Sequence, residues 1–239
     1  MQRDICSGSA EVRYDMHQSF FDLIGGLTTV VPGEKLSQAQ QRVFRGVAIV
    51  GSSCAGKTTI VQEVRMSSLA GTEKVSVPLR YITRPQRDND LAVENAYLSH
   101  NEFMGKVQHS EICFYWKKRF EPGREELFGF GPTQAGALPV YSGNNGLLYN
   151  TGSVYPCGIL DDIFFVGIYA PDEVRRERLF MRSPDLARNN PQEVRYRLGD
   201  SSEKIMAHVH VVINNYGSSM RSVCQDVVEL LRRMVDLFG

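Results

Sequence analysis

Val47-Ala48-Ile49-Val50-Gly51-Ser52-Ser53-Cys54-Ala55-Gly56-Lys57-Thr58 decides how this chain folds. Four apolar residues in a row suit a short strand covered on both faces of a parallel sheet. The eight residues after them fit G-x-x-x-x-G-K-[ST], a phosphate-binding loop between a strand and a helix. Glycine lets backbone N–H groups turn inward onto phosphate oxygens, and the following helix presents its positive end there. Gly51, Ser52, Ser53, Cys54, Ala55 and Gly56 form the expected cradle, with Thr59 just inside the helix. Lys57 is expected to bridge the β- and γ-phosphates of a nucleotide, and the Thr58 hydroxyl to bind Mg²⁺. A helix is expected over residues 58–69, because Ile60, Val61, Val64 and Leu69 recur near helical spacing. The loop by itself admits an ATPase, a nucleotide switch or a kinase. No apolar run ends in the Asp that a hydrolase of this type places on a neighbouring strand, since Leu160-Asp161-Asp162 precedes its strand. An Asn-Lys-x-Asp guanine-reading motif is also missing.

Working outward, residues 75–82 read as a second strand, irregular or at an edge because of Pro78. Residues 138–142 and 163–169 read as buried strands, and 172–182 as an amphipathic helix. A polar break containing Pro184 and Pro191 follows. Residues 193–206 are again helical, 209–213 a strand and 219–237 a closing helix. Alternating strands and helices imply an α/β fold with a doubly wound parallel sheet. Residues 83–134 differ in texture: polar, then aromatic (Phe114-Tyr115-Trp116), then rich in Gly and charge. They suit a small acceptor-binding module inserted between core segments 44–82 and 135–239, with a helical lid near 183–192. Residues 1–43 form an N-terminal extension without an assigned role, although 20–24 are apolar enough to pack. Gly25-Gly26 and Val30-Val31-Pro32-Gly33 signal a break and a turn.

The whole chain of 239 residues fits one embellished domain, at ~100–200 residues per domain. Its 27 basic and 27 acidic side chains cancel, which argues against a broad surface for nucleic acid or anionic lipid. With 42% hydrophobic residues a packed core is expected, not disorder. The longest apolar run, 163–170, is far short of the ~20 residues a membrane helix needs. The first residues lack a basic segment followed by an apolar one, so export is not expected. Cys6, Cys54, Cys113, Cys157 and Cys224 are scattered without a Cys-x-x-Cys pair, as for reduced thiols in a cytoplasmic protein.

Arg84-Pro85-Gln86-Arg87 places two guanidinium groups three residues apart after a strand, a spacing suited to bidentate contacts with an acceptor phosphate. Tyr97 is placed to donate its hydroxyl to the same group. Arg175, Arg176, Arg178 and Arg182 share one helix, with Arg188, Arg195 and Arg197 beyond the Pro-bracketed break. Arginines on a mobile lid would neutralise a transferring phosphoryl group and exclude water. His208 and His210 read as packed strand residues, Cys54 as a small tolerated loop residue, and Lys117, Lys118 and Arg119 beside Trp116 as a solvated edge.

These motifs, in order, resemble the guanylate kinase family. Gly51–Thr58 is followed by Arg84-Pro85-x-Arg87, Tyr97-Leu98-Ser99 with Glu102-Phe103, Leu127-Phe128-Gly129, the Arg178-x-x-x-Arg182 helix and Val211-Val212-Ile213-Asn214-Asn215. The resemblance spans about residues 44–239 and implies a P-loop core with an acceptor module and a lid, using ATP and Mg²⁺. Arg84, Arg87 and Tyr97 would hold the acceptor's phosphate, with Glu94, Tyr115 and Phe128 beside it. Arg178, Arg182 and Arg197 would join Lys57 in stabilising the transferring group, and Asn214 or Asn215 would lie near adenine. Two departures bear on the acceptor. Tyr115 stands where guanylate kinases place a guanine-reading Glu, and Ser142-Gly143-Asn144-Asn145 lacks the family's acidic residues. The stretch Tyr81-Ile82-Thr83-Arg84-Pro85, with Glu94-Asn95 and the Trp116 context, is similar to ribose 1,5-bisphosphate phosphokinase. The preferred acceptor is therefore a ribose phosphate, with a nucleoside monophosphate second and a non-catalytic scaffold third. A phosphate acceptor is largely ionised at neutral pH, its second pKa lying near ~6, so no catalytic base is required. Homodimerisation stays open.

Overall fold

The computed structural model describes residues 22–33, 35–36, 44–86, 94–121, 124–144, 146–149, 154–155, 159–199 and 203–238. Its strands in chain order are β1 (Val30–Pro32), β2 (Gly46–Gly51), β3 (Val75–Ser76), β4 (Arg80–Ile82), β5 (Asn95–Tyr97), β6 (Phe114–Glu121), β7 (Arg124–Phe130), β8 (Leu138–Ser142), β9 (Val154–Tyr155), β10 (Ile163–Tyr169) and β11 (Val211–Asn214). The longer helices are α1 (Lys57–Met66), α2 (His100–Gln108), α3 (Asp172–Arg182), α4 (Pro184–Asn189), α5 (Pro191–Leu198) and α6 (Met220–Phe238).

The core sheet has the order β1-β11-β10-β2-β8-β3. All of its pairings are parallel except that of β1 with β11. The chain winds from β2 through β3 to β8 on one side and then to β10 and β11 on the other, the doubly wound arrangement the sequence implied. Both faces of β2 are covered, which explains its unbroken apolar run. Val47 and Ile49 face α1 and α6 with Phe164, Val166, Ile213 and Leu230. Ala48 and Val50 face the opposite cluster, with Phe165 and Val212.

The expected strand over 75–82 is two strands in two sheets. Val75 and Ser76 pair with β8 in the core, whereas Arg80–Ile82 pair with β5 and β7. Pro78 lies between, where the missing N–H and fixed φ suit a chain leaving one sheet for another. The second sheet, β5-β4-β7-β6-β9, contains the strands of the expected module over 83–134 and reaches beyond it at both ends, to β4 before it and to β9 after it. One of its faces joins the core through Ile82, Phe114, Trp116, Phe128 and Phe130. The other buries Phe103 of α2 with Ile112 and Leu127. Helix α2 starts at a capping box, in which Ser99 Oγ accepts from Glu102 N and the Glu102 carboxylate accepts from Ser99 N at 2.7 Å.

Other boundaries moved for local reasons. The helix after the loop ends at Met66, since Ser67 is extended and folds its hydroxyl back onto the Val64 carbonyl at 2.7 Å. The Pro-bracketed break is itself helical, with a proline opening both α4 and α5, where no N–H is missed. The helix expected over 193–206 stops at Leu198, and a separate turn, Glu203–Met206, follows.

Residues 22–33 are tied to α6. The Asp226 carboxylate accepts from Thr29 N at 2.7 Å and Thr29 Oγ1 at 2.8 Å, and Arg233 Nη1 donates to the carbonyls of Asp22, Leu23 and Gly25. This part of the N-terminal extension therefore supplies a strand to the core sheet. Among the described residues, no helix is long and apolar enough to cross a membrane.

Candidate active site

Strand β2 has β10 on one side and β8 on the other, so the order reverses at its carboxyl end. Ligands of open α/β sheets bind in that crevice, and the 51–57 loop occupies it. Two glycines permit the loop's shape. A Cβ on Gly51 would stand 2.7 Å from the Ile168 carbonyl. Gly56 has φ +100°, and a Cβ there would meet Asn215 Nδ2 at 2.1 Å. Helix α1 then begins with no acidic residue in its first turn and no side-chain cap, so its end suits an anion.

The loop is braced from outside. Arg175, fully buried, donates from Nε to the Ser53 carbonyl at 2.9 Å, from Nη2 to the Arg197 carbonyl at 3.0 Å and from Nη1 to Asp172 Oδ1 at 2.7 Å. Asn215 Nδ2 donates to the Ala55 carbonyl at 2.6 Å, and Arg178 Nη2 to the Asn215 carbonyl at 2.9 Å. In a planar trans peptide the N–H opposes the C=O, so carbonyls held outward turn the next amides inward. Arg175, which the sequence grouped only with its helix neighbours, is thus the brace that links loop, α3 and α5.

Lys57 Nζ donates to the carbonyls of Gly51 at 2.5 Å and Ser52 at 2.9 Å. Burial, then the charges of Arg80 and Lys118, lower its pKa from 10.5 to about 7; Arg175 adds to this and Cys54 opposes it. Thr58 follows, half-buried, in the first turn of α1, and Thr59 is exposed.

The other expected nucleotide residues are spread more widely. Arg178 reaches the loop, with Nη1 3.5 Å from the Cys54 and Ala55 carbonyls. Arg182 is exposed one turn further along α3, and Arg197 forms an ion pair with Glu193 at 2.9 Å. Asn215 is buried as a loop brace. Asn214 pairs with Tyr169 and donates its backbone N–H to the Thr29 carbonyl.

Of the residues expected to meet an acceptor, Arg84 is buried with its guanidinium 5.6 Å from the centre of the Tyr97 ring, a cation–π distance, and Nη1 donates to the Pro85 carbonyl. Glu94 is buried and acts electrostatically on Arg65. Arg87 lies outside the described residues. Phe128 stacks on Trp116 at 5.5 Å in the cluster between module and core. Tyr115 differs from the expected substrate contact. Strand alternation turns it away from Trp116 to the face covered by α2, where it meets Phe103 edge-on at 5.8 Å.

Sequence reasoning missed Arg80 and Lys118. Arg80 Nε and Nη2 donate to Asn95 Oδ1 at 3.0 and 2.8 Å, and Nη1 donates to the Ser142 carbonyl at 2.8 Å. Lys118 lies two residues after Trp116 on the same face of β6 and is half-buried. The available signal was period-two alternation: Arg80 precedes the buried pair Ile82 and Arg84, and Lys118 follows Phe114 and Trp116.

No protein-family model matches the chain, and no curated protein matches it. Among solved structures it is similar to a guanylate kinase from Anaplasma phagocytophilum, at 14% identity over 79% of this chain and 86% of that one, with a TM-score of 0.49. It is also similar to a gluconokinase from Sinorhizobium meliloti 1021, at 14% identity over 82% and 98% of the respective chains, with a TM-score of 0.38. At these identities and scores the functional case rests on the chain's own site.

Proposed function

We propose that this chain is a P-loop kinase that transfers the γ-phosphoryl group of ATP to a phosphate on a small acceptor. The preferred acceptor is ribose 1,5-bisphosphate, giving phosphoribosyl diphosphate. The observation that carries this is the gathering of cations about the phosphate loop. Lys57, Arg175 and Arg178 donate to carbonyls of the loop, and Arg80, tied to the Ser142 carbonyl on the strand beside β2, acts with Lys118 on the Lys57 charge.

The donor set fits a nucleotide triphosphate. The start of α1 offers backbone N–H groups, and the Lys57 ammonium would leave the Gly51 and Ser52 carbonyls for phosphate oxygens. Thr58 would supply a hydroxyl to Mg²⁺, which adds positive charge beside the transferring group. Arg84, stacked on Tyr97, would hold the acceptor phosphate so that one of its oxygens lies in line with the γ-phosphorus. That oxygen forms the new P–O bond as the bond to ADP breaks, and no proton need be removed because the phosphate is already ionised. Lys57 and Arg178 would offset the charge on the departing ADP and the transferring group. Two features disfavour a guanine base: Tyr115 is turned to the far face of the module, and Ser142, Gly143 and Asn144 offer no carboxylate.

An ATP-consumption screen with ribose 1,5-bisphosphate, ribose 5-phosphate, GMP and other nucleoside monophosphates tests the proposal. Turnover with the ribose phosphates is the expected result. Turnover with GMP alone overturns the acceptor, and ATP binding with no acceptor turned over favours a scaffold.

A further inference from the structure

Ile82, Phe128 and Trp116 form one row across β4, β7 and β6, in the buried cluster between the sheets. The next row on the same face is charged. Lys118 stands opposite Glu126. On the other side, Thr83 N donates to the Leu127 carbonyl at 3.1 Å and Leu127 N donates to Thr83 Oγ1 at 2.8 Å. The chain after β4 therefore keeps its register on β7 one pair past Ile82, and the following step sets Arg84 level with Glu126. Arg84 and Glu126 are buried and Lys118 is half-buried. Strand alternation gives the three residues the face of Phe128, and Lys118 is close enough to the phosphate loop to act on the charge of Lys57.

Two successive acids on β7 are used differently. Glu125 lies on the other face and pairs with Lys117 at 3.4 Å, both side chains partly exposed. Glu126 is only 3% exposed. Burying a carboxylate is costly, and the cations on either side of it in the row offset that cost. Its two oxygens carry roughly four lone-pair positions, so a carboxylate that serves neighbouring cations still accepts from further donors. A negative charge at this place opposes an incoming phosphate. Its favourable contact with an acceptor is therefore with the uncharged part of that molecule. Adjacent hydroxyls on a sugar ring present two donors to the two oxygens of one carboxylate, as the fork of a guanidinium does. Among the described residues the other buried carboxylate is that of Glu94, which acts on Arg65 of α1.

We propose that Glu126 accepts hydrogen bonds from the vicinal hydroxyls of the acceptor's ribose while Arg84 holds its phosphate, and so selects ribose phosphates over 2-deoxyribose phosphates. This rests on the kinase reading above and names the group that reads the sugar. It applies alike to a ribose phosphate and to a nucleoside monophosphate, since both carry the diol. A site built to bond a hydroxyl disfavours the analogue lacking it, because a buried polar group is then left without its donor.

The test is calorimetric titration of the full chain, without ATP, with ribose 1,5-bisphosphate against its 2-deoxy analogue and with GMP against dGMP. The wild type should bind the hydroxylated member of the pair it accepts about tenfold more tightly, the scale of one hydrogen bond to a charged group. Glu126→Gln keeps the shape and removes the charge, so it should lose most of that preference. The deoxy member should bind this variant at least as tightly as the wild type, because a negative charge near the phosphate is gone. A carboxylate that only positions Arg84 requires the opposite, equal weakening of both members, and that result overturns the proposal. Equal binding of the two members by the wild type, or binding of neither pair, overturns it without any variant. Because affinity is read without turnover, a diol preference in a protein that never consumes ATP would sink the kinase reading and leave this inference standing. Turnover without the preference would do the reverse.

Discussion

The two walls of the cleft carry similar charge by different means. On the core wall, Lys57, Arg175 and Arg178 donate to main-chain carbonyls, five of them within the 51–55 loop, so these cations are also the loop's scaffold. On the module wall, Arg80 and Lys118 project from strands, and the sheet beneath them is built by apolar neighbours. Removing a core-wall cation therefore disturbs structure and chemistry together. Removing a module-wall cation should disturb recognition first.

The largest effect expected is at Lys57. Lys57→Ala should lower turnover at least ~10²-fold, the scale for losing one preorganised charge-stabilising donor, and unimpaired phosphoryl transfer in this variant would remove the core wall from the mechanism. Next, Arg175→Met should destabilise the fold by about 1–3 kcal/mol for each buried carbonyl left without its donor, read by urea denaturation. A variant as stable as the wild type would show that Arg175 does not brace the loop.

Arg84→Ala should raise the acceptor KM about tenfold while ATP affinity, measured by titration, stays near wild type. Equal loss of both ligands would erase the proposed division between the walls. The smallest effect is a fraction of one proton. Lys57 is largely neutral in the free protein above its lowered pKa of about 7, and phosphate oxygens should return it toward the ordinary range. ATP binding at about pH 8.5 should then take up protons, detected by calorimetry in buffers of differing ionisation enthalpy, and the uptake should fade near pH 6. Proton release at the higher pH would contradict the assignment of Lys57.

Much was legible in the sequence because it was local. The loop from Gly51 to Thr58, the apolar runs of β2 and β10, and the amphipathic α3 each announce themselves within a dozen residues, since the backbone needs and the periodicity are satisfied by near neighbours. Pro78 marked an irregular strand correctly. That its two halves enter different sheets depends on partners 46 to 63 residues away, and no local pattern specifies them.

The site divides in the same way. Sequence by itself determined the strand–loop–helix turn over 51–57 and the place of its lysine, because one contiguous motif contains both. It also paired Arg84 with Tyr97, whose ring and guanidinium come together across the β4–β5 pair. Only the tertiary structure decided which way the strand residues face. The register of β6 on β7 sends Trp116 to the buried cluster between the sheets and Tyr115 to the helix-covered side, and the fold brings Asn95 and Ser142 to Arg80. A strand places adjacent side chains on opposite faces, so a one-residue difference in register changes which of them meets a ligand. That choice is made by burial against distant strands, and so the second pair of cations became visible only once the sheets were assembled.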